Sequence, residues 1–125
     1  MKSRTVALLS AAGMFLAAAP LAAHHSGNYD NDHPITFSGT VTVYQMVSPH
    51  GKIIVETKDP RGNTVAWTVV TAPPQRLYRS GWNKYTLKAG DRITLTGAPT
   101  RSGVKEMRML KVIMADGKTL SEGNE

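Results

Sequence analysis

The chain has 125 residues, a formal net charge of +6 and no cysteine. This length supports one compact domain with a small core, and no second domain is expected. The lack of cysteine excludes disulfide scaffolds, thiolate metal sites and cysteine nucleophiles, so stability must come from the core.

The first 23 residues are typical of a secretory signal peptide, because basic side chains precede an uncharged run over residues 6–19 and small residues lead up to Ala23. The run is shorter than the roughly 18 to 20 residues that a spanning helix needs, so we expect cleavage and no transmembrane anchor. Cleavage after Ala23 leaves 13 basic and nine acidic residues over 102 positions, a formal charge of +4. Cuts after Ala22 or Ala19 are alternatives. The expected location is the periplasm or the exterior.

Residues 24–34 are polar, rich in Asn, Asp and Gly, and lack periodicity, which predicts a flexible arm. The arm carries three of the four histidines, His24, His25 and His33. The folded body is predicted over residues 35–120, and the acidic residues 121–125 are predicted to form a frayed tail.

The body begins with a strand, since Ile35, Phe37 and Val41 alternate with hydroxyl side chains. A second β-branched run over residues 53–55 and a third over residues 65–70 flank a turn at residues 59–63, which predicts a hairpin.

Residues 75–80 follow two prolines and precede Gly81, a pattern that indicates one or two turns of helix. A fourth strand is predicted over residues 93–97. In the fifth, over residues 105–114, the apolar positions change phase after Met109, which indicates a β-bulge. The predicted fold is mainly β: a small five-stranded OB-like Greek-key barrel with one short helix between strands three and four.

With this order, the chain resembles a family of small, uncharacterised exported bacterial proteins, a domain of unknown function with an OB-like barrel and a His-His mature N-terminus. The resemblance covers nearly all of the mature chain and lies in these segments: His24-His25-Ser26, Gly39-Thr40-Val41, Pro49-His50, Trp67, Gly81-Trp82, Gly90-Asp91 with residues 93–97, and Ala115-Asp116-Gly117. The resemblance implies an OB-like fold and export, and it identifies no catalytic residue. The family often has Asn before Pro-His and a larger apolar residue after it. Here Ser48 and Gly51 flank that pair, which predicts a looser loop around His50 than the relatives have.

The candidate metal ligands are His24, His25, His33 and His50, and Cu(II) is the candidate ion. Cleavage after Ala23 would give His24 a free amine beside its imidazole, and cleavage after Ala22 would put a histidine third in the mature chain. Both arrangements supply the nitrogen ligands that favour Cu(II). The alternative is that the arm histidines are solvated and His50 is an ordinary loop residue.

The candidate ligand-binding residues are Trp82, Arg76 and Arg79. Trp82 follows Gly81 and is either a stacking platform or a lid over the open end of the barrel. The two arginines lie three positions apart on the predicted helix and either share an anionic ligand or form a solvated face.

The leading hypothesis is a non-enzymatic exported binding module that holds copper through His24 and His25. The competing hypothesis is an envelope interaction domain that binds a glycan, a peptide or another anionic ligand at the loop face of the barrel. Nucleic acid is not expected as a partner, because a charge of +4 gives weak attraction to phosphates and few aromatic residues are present to stack on bases. Enzyme activity is not expected, because no nucleophile or carboxylate pair is placed by spacing.

Overall fold

The computed structural model describes residues 28–123. The elements in chain order are β1 (Ile35–Gln45), β2 (Lys52–Lys58), β3 (Thr64–Val70), α1 (Pro74–Arg79), β4 (Arg92–Pro99), β5 (Glu106–Met114) and β6 (Thr119–Ser121). Within this part of the chain, no helix is long and apolar enough to cross a bilayer. The predicted signal peptide, His24 and His25 lie outside the described residues.

The β2–β3 hairpin follows from the turn chemistry that connects its strands. The Asp59 carboxylate accepts hydrogen bonds from the backbone N–H groups of Arg61 and Asn63 at 2.9 and 2.8 Å. Gly62 adopts a φ of +85°, a left-handed conformation that glycine reaches without a steric penalty. The turn fixes an antiparallel register in which Ile53 faces Val69.

Parallel pairing between β3 and β5 closes the barrel. The sheet runs in the order β3-β2-β1-β4-β5-β6, and Thr68 to Val70 of β3 pair with Glu106 to Arg108 of β5. Five strands thus form a closed barrel, with α1 between β3 and β4. This arrangement confirms the predicted fold class.

The core fills the barrel with aliphatic side chains and methionines. Its fully buried members include Val41, Ile53, Val55, Val69, Leu95, Met107, Met109 and Val112. Helix α1 has Pro74 in its first turn, where the missing N–H costs no helical hydrogen bond, and it buries Leu77 completely. Trp82 is 1% exposed and packs into the same core cluster as Leu77.

The predicted bulge in the last long strand is confirmed. Gly97 pairs with Met109 and Thr96 with Lys111, which leaves Leu110 as the extra residue on β5. Gly97 permits this close approach, because a Cβ at that position would stand 2.8 Å from the Arg108 carbonyl oxygen. The bulge keeps both Met109 and Val112 inside the barrel.

The structure differs from the sequence expectation at both ends of the domain. Ser121 ends β6, which pairs with β5, and Glu122 is 8% exposed, although both residues were placed in a frayed tail. Tyr29, placed in the flexible arm, is 4% exposed and forms a β-bridge with Thr100. Tyr29 pairs with a segment that is far away in sequence, which local polarity does not reveal. Strand β6 pairs with the neighbouring β5 but is too short to show a period.

Candidate functional site

The candidate site is a cleft at the seam of the barrel, where β3 and β5 separate. Their last parallel pair is Val70 with Arg108, and beyond it the two strands diverge. The opening has a volume of about 380 Å³, within the range of small-molecule sites. We call this opening the seam cleft. Its walls are formed by Tyr29, Asn31, His50, Val70, Thr71, Ala72, Pro73, Arg76, Arg108 and Glu122.

A buried carboxyl group forms one wall of the seam cleft. One oxygen of Glu122, Oε1, accepts the backbone N–H of Ala72 at 2.6 Å, so the side chain replaces the strand partner that Ala72 lacks. Burial raises the pKa of the Glu122 carboxyl above its usual value, although the Ala72 N–H and the charges of Arg108 and Arg76 oppose that rise.

The C-terminal segment, residues 119–123, is held in place by α1 and by the residues after it. Arg76 donates from Nε to the Glu122 carbonyl oxygen at 3.2 Å and from Nη2 to the Gly123 carbonyl oxygen at 2.8 Å. The Ser80 hydroxyl donates to the Glu122 carbonyl oxygen at 2.8 Å, and the Trp82 indole N–H donates to the Ser121 carbonyl oxygen at 2.9 Å. Arg76 therefore positions Glu122 as well as lining the cleft.

Arg108 forms another part of the wall. Its guanidinium donates from Nη2 to the side-chain oxygen of Asn31 at 2.6 Å, which brings the N-terminal segment against β5. Beside it the Tyr29 hydroxyl donates to the Glu106 carboxylate at 2.6 Å, and burial together with this bond raises the pKa of Tyr29. The bond to Asn31 therefore fixes the Nη2 end of the Arg108 guanidinium.

His50 lies in the loop between β1 and β2 and reaches the seam cleft. Its Nδ1 is 3.1 Å from the Thr71 carbonyl oxygen, and because a carbonyl only accepts, Nδ1 carries the proton in this bond. The Thr71 backbone N–H also donates to the Gly51 carbonyl oxygen at 3.0 Å. The His50 side chain is thus partly buried and held against the end of β3.

The structure brings together two of the sequence-predicted residues, His50 and Arg76, in the seam cleft. Arg79 is exposed on α1 and does not line it. Trp82 is buried with its N–H bonded, so in this conformation its ring offers no face to a ligand. The buried ring is therefore not a stacking platform in this conformation, and it packs in the core.

His33 lies apart from the seam cleft and pairs locally. Its Nδ1 is 3.0 Å from the carboxylate of Asp30. Across residues 28–123, no three His, Cys, Asp or Glu side chains are grouped closely enough to hold a metal ion. A site with three such ligands that included His33 or His50 would need a ligand from outside these residues.

Sequence reasoning missed eight of the ten wall residues, among them Tyr29, Asn31, Arg108 and Glu122. Arg108 carries a weak signal, because it alternates with the inward Met107 and Met109 on β5 and must therefore point out of the barrel. Tyr29, Asn31 and Glu122 lie in segments without periodicity, and only tertiary packing brings them to the site.

Comparison with known proteins gives a family and a likeness to solved structures. The model of a family of unknown function (DUF6152) matches residues 12–108. A solved structure of the mitochondrial single-stranded DNA binding protein Rim1 from S. cerevisiae is similar over 73% of this chain and 97% of that chain, with 11% sequence identity and a TM-score of 0.47. No curated protein matches this sequence.

Proposed function

This chain belongs to the family of unknown function DUF6152, and from the geometry of the seam cleft we propose that it is a non-catalytic, exported module that binds a small anionic ligand. The location rests on the leader-like first 23 residues. The binding role rests on the seam cleft, a concave site where charged groups from β5, α1 and the C-terminal segment converge.

The observation that carries this proposal is the placement of Arg108. Only its Nη2 makes a hydrogen bond within residues 28–123, to Asn31, so further donors of the fork are available to a ligand. A guanidinium presents five N–H donors in a planar fork that matches a carboxylate or a phosphate. Arg76 adds a second positive charge on the same cleft, and its bonds to the C-terminal segment hold that charge in position.

The test is a titration of the full chain with acetate and with inorganic phosphate, followed by amide chemical shifts in NMR spectra. We expect shifts concentrated at Ala72 and Asn31 and a loss of binding of about tenfold in R108Q, the usual effect of losing one charge-assisted hydrogen bond. R92Q is the matched control, because Arg92 is an exposed arginine on β4 that does not line the cleft. Shifts scattered over the surface, or equal effects of the two substitutions, would refute the proposal.

Copper binding by His24 and His25 is a second proposal, supported by the paired imidazoles directly after the leader. A new N-terminal amine would complete a nitrogen chelate of the kind that Cu(II) prefers. Mass spectrometry of the exported protein would define its first residue, and a Cu(II) titration would follow. Binding should be lost in H24A and H25A and retained in H33A. Binding that is equal in all variants would contradict the chelate.

A further inference from the structure

The seam cleft is lined by charged groups of both signs. Arg108 and Glu122 both form its walls, and the charge of Arg108 favours the ionised form of the Glu122 carboxyl. Yet no ion pair within 4.0 Å joins them among the described residues. The two opposite charges therefore stand apart with the open volume of the cleft beside them.

Glu122 offers an oxygen to that volume. Its Oε1 is bonded to the Ala72 N–H, whereas its second oxygen, Oε2, has no hydrogen-bond donor among residues 28–123. In the same part of the chain no fully buried side-chain oxygen or nitrogen lacks a partner, so Oε2 is not completely enclosed, and Glu122 lines the cleft. A mostly buried carboxylate oxygen without a donor is costly, and a cationic N–H donor offsets that cost best.

The geometry points to a small zwitterion of the amino-acid type as the ligand, with its carboxylate on Arg108 and its ammonium group on Glu122. This inference rests on the proposed function and goes further, because it assigns the second charge of the ligand. A simple anion would leave Oε2 unpaired and would itself face a carboxylate across the cleft. A zwitterion pairs with the Arg108 guanidinium and with the Glu122 carboxylate at the same time.

The remaining wall indicates what the rest of the ligand is like. Val70, Ala72 and Pro73 line the cleft with aliphatic surface between the charged groups. Such surface favours an apolar side chain over a polar one, at roughly 25 cal/mol for each Å² removed from water. An aliphatic amino acid therefore fits the cleft in charge and in polarity.

Three probes with one side chain test the inference on the full chain by NMR titration: L-leucine, N-acetyl-L-leucine and L-leucinamide. Leucine carries both charges, the N-acetyl form only the anion and the amide only the cation. We expect leucine to bind at least about tenfold more tightly than either derivative, because each derivative loses one charge-assisted bond.

The variant E122Q keeps an oxygen acceptor for the Ala72 N–H and removes the negative charge. It should weaken leucine binding to about the level of N-acetyl-leucine, and it should not weaken N-acetyl-leucine binding, because the charge that it removes repels the anion. E56Q, at an exposed position on β2 outside the cleft, is the matched control and should behave like the unmodified chain.

The outcomes separate the two proposals. If N-acetyl-leucine binds as tightly as leucine and E122Q changes neither, the zwitterion inference is overturned and the anion site stands. If no probe with a carboxylate binds and R108Q does not change the binding of acetate or phosphate, both the zwitterion inference and the proposed function are overturned.

Discussion

Replacing Trp82 with phenylalanine tests whether this residue is a structural anchor of the C-terminal segment. The indole is 1% exposed, and its N–H donates to the Ser121 carbonyl oxygen at 2.9 Å. Phenylalanine keeps an aromatic ring in the core but has no donor. The substitution therefore removes the link between the residues after α1 and β6 without introducing a polar group.

The expected loss of unfolding free energy has two parts. A neutral hydrogen bond contributes about 1 kcal/mol net. The void left by the smaller ring costs about 1 kcal/mol more, since truncation to alanine would cost roughly 3 to 5 kcal/mol. A total of about 2 kcal/mol corresponds to a fall in melting temperature of about 10 °C for a domain of this size.

Urea unfolding followed by far-ultraviolet circular dichroism measures this loss. Trp67 provides the control, because W67F alters a half-buried indole that packs on Phe37 with ring centroids 5.5 Å apart and makes no N–H hydrogen bond within residues 28–123. W67F should cost less than about 1 kcal/mol, the usual size of its exposed contact with Lys105. A W82F loss no larger than the W67F loss would refute the anchoring role.

Three further predictions concern the cleft and the barrel. The folded chain binds the Glu122 proton more tightly than the unfolded chain, so stability should fall as pH rises from about 4.5 through the raised pKa of Glu122, and a fall that persists in E122Q would contradict this origin. G39A should cost about 1 to 3 kcal/mol in chemical unfolding, because its Cβ would stand 2.6 Å from the Glu56 carbonyl oxygen, and an unchanged midpoint would contradict that crowding. R76A should speed amide hydrogen exchange in residues 119–123 while β2 stays protected, and uniform protection would show that Arg76 does not hold the segment.

The barrel could be predicted because its strands carry their information locally. Alternation along β1, the Asp-Gly turn between β2 and β3 and the prolines before α1 each define one element from neighbouring residues. The phase change after Met109 even located the bulge. Strand β6 escaped prediction, because three residues are too few to show a period.

The cleft could be predicted only in part, because its residues are brought together by tertiary contacts. His50 and Arg76 were singled out for their chemistry, and both line it. Glu122 was assigned to a frayed tail, since nothing in the local sequence reveals that its carboxylate reaches Ala72, 50 positions earlier. The sequence predicts either a stacking platform or a lid for Trp82, since it does not show whether an isolated aromatic residue faces inward or outward.

The seam cleft takes its walls from both ends of the described chain, from Tyr29 to Glu122. Such a site exists only in the folded barrel and vanishes on unfolding. Any occupant therefore shifts the folding equilibrium itself, by about 2.7 kcal/mol when its free concentration is one hundred times Kd. Thermal-shift screening of compound libraries can thus find the natural ligand without an activity assay.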